Sequence, residues 1–167
     1  MTFQNILGKG IDEIEVGDKA YFAKTISEYD VYQFASVTCD FNPAHINEAY
    51  AADTFFKHRI AHGMLTLSLV SNILGTQFPG PGTIFVSQNV RFLAPVFIGD
   101  TIEMVVAAVE LDRTRNRMTF ACEGVNQNGV KVLEGDGVVM PPKKRKPKPP
   151  AEVPGDTRAD AAAVSAA

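Results

Sequence analysis

Residues 61 to 74 read Ala61-His62-Gly63-Met64-Leu65-Thr66-Leu67-Ser68-Leu69-Val70-Ser71-Asn72-Ile73-Leu74, and the segment runs on to Phe78. Apolar side chains at Met64, Leu65, Leu67, Leu69, Val70, Ile73 and Leu74 surround the turns almost completely. A helix apolar on nearly every face belongs inside a protein rather than on it. Past Pro79-Gly80-Pro81-Gly82 the pattern changes to alternating apolar and β-branched residues. Strands are predicted over 83–90, 101–111, 118–125 and 130–140. Ile98-Gly99-Asp100 and Asn128-Gly129 read as turns between them, the second as a type I′ hairpin. Three strands joined by hairpins form an antiparallel sheet, and the one long helix is what they have to cover. The class is therefore α+β, an antiparallel sheet wrapped around a central helix, and apolar surface left over on one such layer predicts a homodimer.

Upstream, residues 18–25 read as an opening strand. Ser27 followed by Asp30 has the form of a helix N-cap with an acid at N3, and Val31, Phe34, Ala35 and Thr38 then fall at helical spacing. A second short helix is predicted over 47–55 and a loop at His58-Arg59. The first helix delivers the chain to Asp40-Phe41-Asn42-Pro43-Ala44-His45. Here an acid and an imidazole stand five residues apart, with a proline between them that stops the backbone from running on as regular helix. Their side chains can converge on one point. A reaction that takes a proton from water at one atom and delivers a proton to the next requires such a pair. Gly63, at the start of the apolar helix, can present a bare N–H to a developing oxyanion. Asn42, before proline, serves equally as a turn residue or as an amide contact for the pair.

Composition narrows the rest. A chain of 167 residues with a 46% hydrophobic share supports one domain with a real core. The boundary is expected at residue 141, and residues 142–167 form a mobile tail rich in Pro, Ala and basic residues. Counted from residue 141, the end of the chain holds six of the ten prolines and a net charge of +3, which leaves −6 on residues 1–140. An acidic body argues against nucleic-acid binding. The basic run from Lys143 to Lys148 is read as a solvated tail, dispensable for catalysis. No leader-like or bilayer-length apolar run is present, so a soluble, cytoplasmic protein without a membrane segment is expected. Cys39 and Cys122 lack metal-type spacing and are expected to be reduced. His58 and His62 stand at i, i+4, but no glutamate lies between them, so no metal is expected. Cys39 near His45 reads as a small filler rather than a thiol nucleophile.

The motifs together resemble the MaoC-like, R-specific enoyl-CoA hydratase family of the hotdog fold, over roughly residues 11 to 141. The likeness rests on 40–45, on Arg59-Ile60-Ala61-His62-Gly63-Met64, on Leu74-Gly75, on 79–84 and on Pro95-Val96-Phe97-Ile98-Gly99-Asp100. It implies that Asp40 and His45 are the catalytic pair, that Gly63 supplies the oxyanion N–H, and that Ser71 lies near the catalytic acid. It implies syn addition of water to a trans-2-enoyl-CoA, short-chain by expectation, giving an (R)-3-hydroxyacyl-CoA. No cofactor is needed beyond the CoA that the substrate carries. Leu74 is then a candidate wall for the acyl chain, and Lys57, Arg59, Arg91 and Arg113 are candidate cations for CoA phosphates. The sequence departs from the family at position 39, often glycine in relatives and here Cys39. A hotdog thioesterase and a non-catalytic acyl-binding module are the competing readings; the intact pair speaks for hydration, because neither alternative needs a second proton site facing C2.

Overall fold

The computed structural model describes residues 6–143; the tail from residue 144 onward, with most of the basic run, lies outside the described residues. After a short 3-10 turn at Ile11–Glu13 come β1 (Lys19–Thr25), α1 (Glu28–Thr38), α2 (Pro43–Ile46), α3 (Glu48–Ala52) and α4 (Gly63–Thr76). Four strands follow: β2 (Ile84–Phe92), β3 (Thr101–Asp112), β4 (Arg117–Asn126) and β5 (Lys131–Met140). With β1 they form one five-stranded antiparallel sheet in the order β1-β3-β4-β5-β2.

Alternation along the strands makes the inner face. Ile102, Met104, Val106 and Ala108 of β3 are buried, as are Met118, Phe120 and Cys122 of β4, each two residues apart. Helix α4 lies on that face with Leu65, Leu69, Val70, Ile73 and Leu74 in the same cluster. Burying side chains of this size stabilises by about 1.5–3 kcal/mol each. The helix is not enclosed all round, however. Met64 is 58% exposed and Ser71 stands open, because a five-stranded sheet covers only one side of it.

Local details follow the residue chemistry, with two corrections. Ser27 caps α1 as expected: its Oγ accepts from the Asp30 N–H at 3.2 Å, and Asp30 accepts from the Ser27 N–H at 2.8 Å. Pro43 does not simply end helical structure; it opens the single-turn α2, where its fixed φ and missing N–H suit the first position. The hairpin at Asn128-Gly129 is not type I′, since Gly129 alone adopts positive φ (+74°). The Gly129 N–H closes a turn on the Asn126 carbonyl, and Asn126 Oδ1 accepts from the Val130 N–H, so the loop is a three-residue one with glycine in the left-handed position. Among the described residues no helix is long and apolar enough to cross a membrane.

Candidate active site

Helix α1 ends at Thr38, and Cys39 caps it at φ +60°, ψ +20°. This left-handed residue turns the chain sharply, so that Asp40 leaves the helix axis. Glycine adopts that geometry without strain, whereas a residue with a Cβ is held there at a cost of about 1–2 kcal/mol. The departure at position 39 is thus a matter of backbone conformation. Within the turn, the Asn42 N–H donates to Asp40 Oδ1 at 3.2 Å and Asn42 Oδ1 accepts from the Ala44 N–H at 3.1 Å. Asn42 is the cap that starts α2 and thereby brings His45 around.

His45 is fixed from behind. Its Nδ1–H donates to the Ile60 carbonyl at 2.8 Å, which assigns the tautomer and leaves Nε2 as an acceptor. Burial pushes the imidazole's pKa below the ordinary value of 6.5; His62 adds to that lowering, while the Ile60 hydrogen bond and the Asp40 charge oppose it. His62, 2% exposed, packs its ring on His45 with centroids 3.8 Å apart and donates Nε2–H to the Asp40 backbone carbonyl at 3.0 Å. The side-chain ligand atoms of Asp40, His45 and His62 all lie within 4.8 Å of one another, a set of donors of the kind that can hold a metal ion. His58 is elsewhere: exposed and paired with Glu48 at 2.9 Å. The His58–His62 spacing therefore does not place two imidazoles on one helical face.

Gly63 is the first residue of α4, so its N–H has no acceptor within the helix, and among the described residues no side chain caps the helix start. His45, Gly63 and Thr66 line a cavity of about 430 Å³ whose remaining walls are mostly apolar, among them Phe56, Phe92, Val96 and Val132. A bare N–H at the positive end of a 14-residue helix thus faces a largely apolar chamber that also holds the imidazole. A larger groove, about 650 Å³, crosses the sheet beside Arg91 and Glu134 and is lined by none of Asp40, His45 and Gly63.

The structure brings Asp40, His45 and Gly63 together with Asn42, as the sequence suggests. It places other candidates differently. Leu74 is 1% exposed inside the core cluster and does not line the cavity. Ser71 stands exposed on α4, two turns beyond Gly63. Arg59 is committed to Glu28 (2.7 Å) and Glu48 (3.3 Å) and also donates to the Tyr32 hydroxyl, so it clamps α1 to α3 rather than offering a free cation. Arg91 pairs with Glu134, and Arg113 donates to the carbonyls of Ile11 and Ile14. Lys57 is exposed, next in sequence to the cavity residue Phe56. Sequence reasoning missed the Ile60 carbonyl and Phe92, which act through backbone position and cross-sheet packing and leave no periodic signal.

An acid beside an imidazole that lines a largely apolar chamber, with a helix N-terminus on the same chamber, is an arrangement suited to acid–base chemistry, here on a sheet-around-helix frame. The chain belongs to the MaoC-like domain family, whose model matches residues 13–128, and its fold is the hotdog fold. It is 44% identical over 142 residues to an (R)-specific enoyl-CoA hydratase of Rhodospirillum rubrum, covering 85% of this chain and 98% of that one. It is 44% identical over 148 residues to a 3-hydroxybutyryl-CoA dehydratase of Methylorubrum extorquens, covering 89% and 94%. Among solved structures, the (R)-hydratase from A. caviae involved in PHA biosynthesis superposes with a TM-score of 0.75 at 39% identity, over 77% of this chain and 98% of that one.

Proposed function

We propose that this protein is an (R)-specific enoyl-CoA hydratase that adds water syn across a trans-2-enoyl-CoA to give an (R)-3-hydroxyacyl-CoA, reversibly. The observation that carries this reading is the pairing of Asp40 with His45 beside a largely apolar cavity that His45 and Gly63 both line. Asp40 and His45 grip one water. His45, anchored through Nδ1–H on Ile60, offers Nε2 to take the water proton as its oxygen joins C3, and the proton for C2 is delivered on the same face from the pair. Charge on the thioester oxygen meets the Gly63 N–H; a donor of this kind supplies about 3 kcal/mol. No group beyond the substrate's own CoA takes part. Asn42 shapes the turn that carries the acid.

The cavity walls, with Phe56 and Phe92, suit a short acyl chain, and the similarity to a 3-hydroxybutyryl-CoA dehydratase supports that length. Lys57 meets CoA phosphates at the mouth. A second copy covers apolar surface left open in one chain: Ile84, Phe85 and Val86 are each more than 40% exposed on β2, an end strand of the sheet, and Met64 is exposed on α4. The setting is cytoplasmic, and supply of (R)-3-hydroxyacyl-CoA for polyester synthesis is one use consistent with the A. caviae relative.

The test is loss of the enoyl-thioester absorbance of crotonyl-CoA, with free thiol measured on the same sample and the product's configuration determined. Signal loss without thiol release, giving the R product, is the expected result. Thiol release would make the protein a thioesterase, and silence with short and longer enoyl groups alike would leave an acyl-binding module. Light scattering on the same preparation should give twice the chain mass.

A further inference from the structure

Neither ring nitrogen of His62 is explained by packing alone. The imidazole packs at a tilt against Phe34, with centroids 5.0 Å apart and planes at 50°, and against His45, at 3.8 Å and 32°, and is buried to 2% exposure. In that setting a phenyl ring would fill the same space. Among the described residues Nδ1 is buried with no hydrogen-bond partner, which costs about 1–3 kcal/mol relative to an apolar atom. A polar side chain kept at such a cost does something that the apolar one could not. The nitrogen that is used, Nε2, donates to the backbone carbonyl of Asp40, 22 residues away in sequence.

The Asp40 turn has few other ties. The Asp40 N–H donates to Thr38 Oγ1 at 3.3 Å and its carboxylate accepts from the Asn42 N–H, both contacts within the turn itself. The turn is exposed, and it begins at the strained Cys39. Among the described residues the hydrogen bond from His62 is what fastens the Asp40 peptide to the first turn of α4, where Gly63 follows directly. The same ring forms the surface on which His45 lies. One side chain therefore touches both partners of the pair and adjoins the oxyanion donor.

We propose that His62 is the positioning residue of the site, setting the separation and angle of Asp40 and His45 through its Nε2–H and its ring contact while taking no proton in the reaction. The proposal rests on the reading of Asp40 and His45 as the catalytic pair. Misplacing a reacting group by about 1 Å is enough to lower turnover roughly a hundredfold without weakening substrate binding.

Two variants separate the donor from the ring. His62→Phe keeps the ring contact and removes the unpaired nitrogen together with the Nε2–H. His62→Gln keeps an N–H near the Nε2 position and loses the ring contact. Steady-state kinetics with crotonyl-CoA and melting curves are measured on the full chain, beside Asp40→Asn and His45→Gln. His62→Phe should melt no lower than the parent, with kcat reduced roughly thirty- to a hundredfold and KM changed less than threefold; His62→Gln should recover at least tenfold of the lost kcat. A His62→Phe protein within threefold of the parent kcat, with the Asp40 and His45 variants inactive, overturns the proposal. So does an equal loss in both His62 variants. Should His62→Phe fail to fold, His62→Gln against His62→Ala decides: tenfold higher kcat for Gln supports the role, and equality overturns it. Activity surviving in Asp40→Asn and His45→Gln would instead sink the catalytic-pair reading.

Discussion

A methyl group on Gly63 would meet the ring of Phe92 at 3.0 Å, so the first residue of α4 is glycine because a strand of the sheet is pressed against it. The contact links the proposed oxyanion donor to the cavity wall, since Phe92 ends β2 and lines the same chamber. Gly63→Ala has to push the ring into the chamber or shift the helix start; the first narrows the space beside the N–H and the second moves the N–H itself. The expected result is a fall in kcat of about ten- to a hundredfold, judged against the worth of one such donor. Phe92→Leu in the same chain should return part of that loss, which steady-state kinetics on the single and double variants will show. No recovery would mean that the methyl group harms the site by another route.

Asp40→Asn and His45→Gln each remove one proton site and keep the shape. Hydration should fall at least about a hundredfold in each, in line with the contribution of positioned acid–base groups. The double variant should be little worse than either single, because the two act as a unit. Melting temperatures should stay near that of the parent. Near-parental turnover in either single variant would show that the pair is not the chemistry.

Burial holds the His45 imidazole below the ordinary histidine range, so its neutral form persists to lower pH than in a free histidine. The acid limb of kcat/KM is therefore expected below pH 6.5, the unperturbed value. Stability carries the same sign. A histidine with a depressed folded pKa binds its proton more weakly when folded than when unfolded, so stability is lost as pH falls through 6.5 toward the folded value. In His45→Gln that component of the acid destabilisation should vanish, which urea titrations at pH 7.5 and pH 5.5 will test.

Cys39→Gly should stabilise the fold, because residue 39 sits at φ +60° and a Cβ is strained there. The gain is about 1 kcal/mol, reduced by glycine's greater freedom when unfolded, and corresponds to about 2 °C in Tm for a chain of this size. Activity should be retained, since Asp40 keeps its direction. A fall in Tm would show that the thiol side chain contributes packing worth more than the strain.

Arg59 ties α1 to α3 and immediately precedes Ile60, whose carbonyl fixes His45. Arg59→Ala should lower stability by about 1 kcal/mol, the range for hydrogen bonds to charged partners at a partly open site. The dependence of KM on salt should stay as in the parent, because the guanidinium is already engaged by Glu28 and Glu48. A KM for enoyl-CoA that rises severalfold and loses its salt dependence would assign Arg59 to the CoA phosphates after all.

The sequence by itself determined the helix and the strands, because periodicity reports which side chains must leave water. It also determined Asp40, His45 and Gly63 as candidates, because acid, imidazole and helix-opening glycine carry their chemistry in their identities. Local rules sufficed for the Ser27 cap and for the position, though not the type, of the turn at Gly129. Tertiary structure alone decided what each candidate touches. Leu74 went into the core because the face of α4 that carries it meets the sheet rather than the chamber. Arg59 was taken by two carboxylates that lie 31 and 11 residues away in sequence. His45 acquired its tautomer from the Ile60 carbonyl, and His62 its place between Phe34 and Asp40. These are contacts between segments distant along the chain. No residue pattern announces them, since they depend on where the packed helix and sheet bring backbone groups to rest.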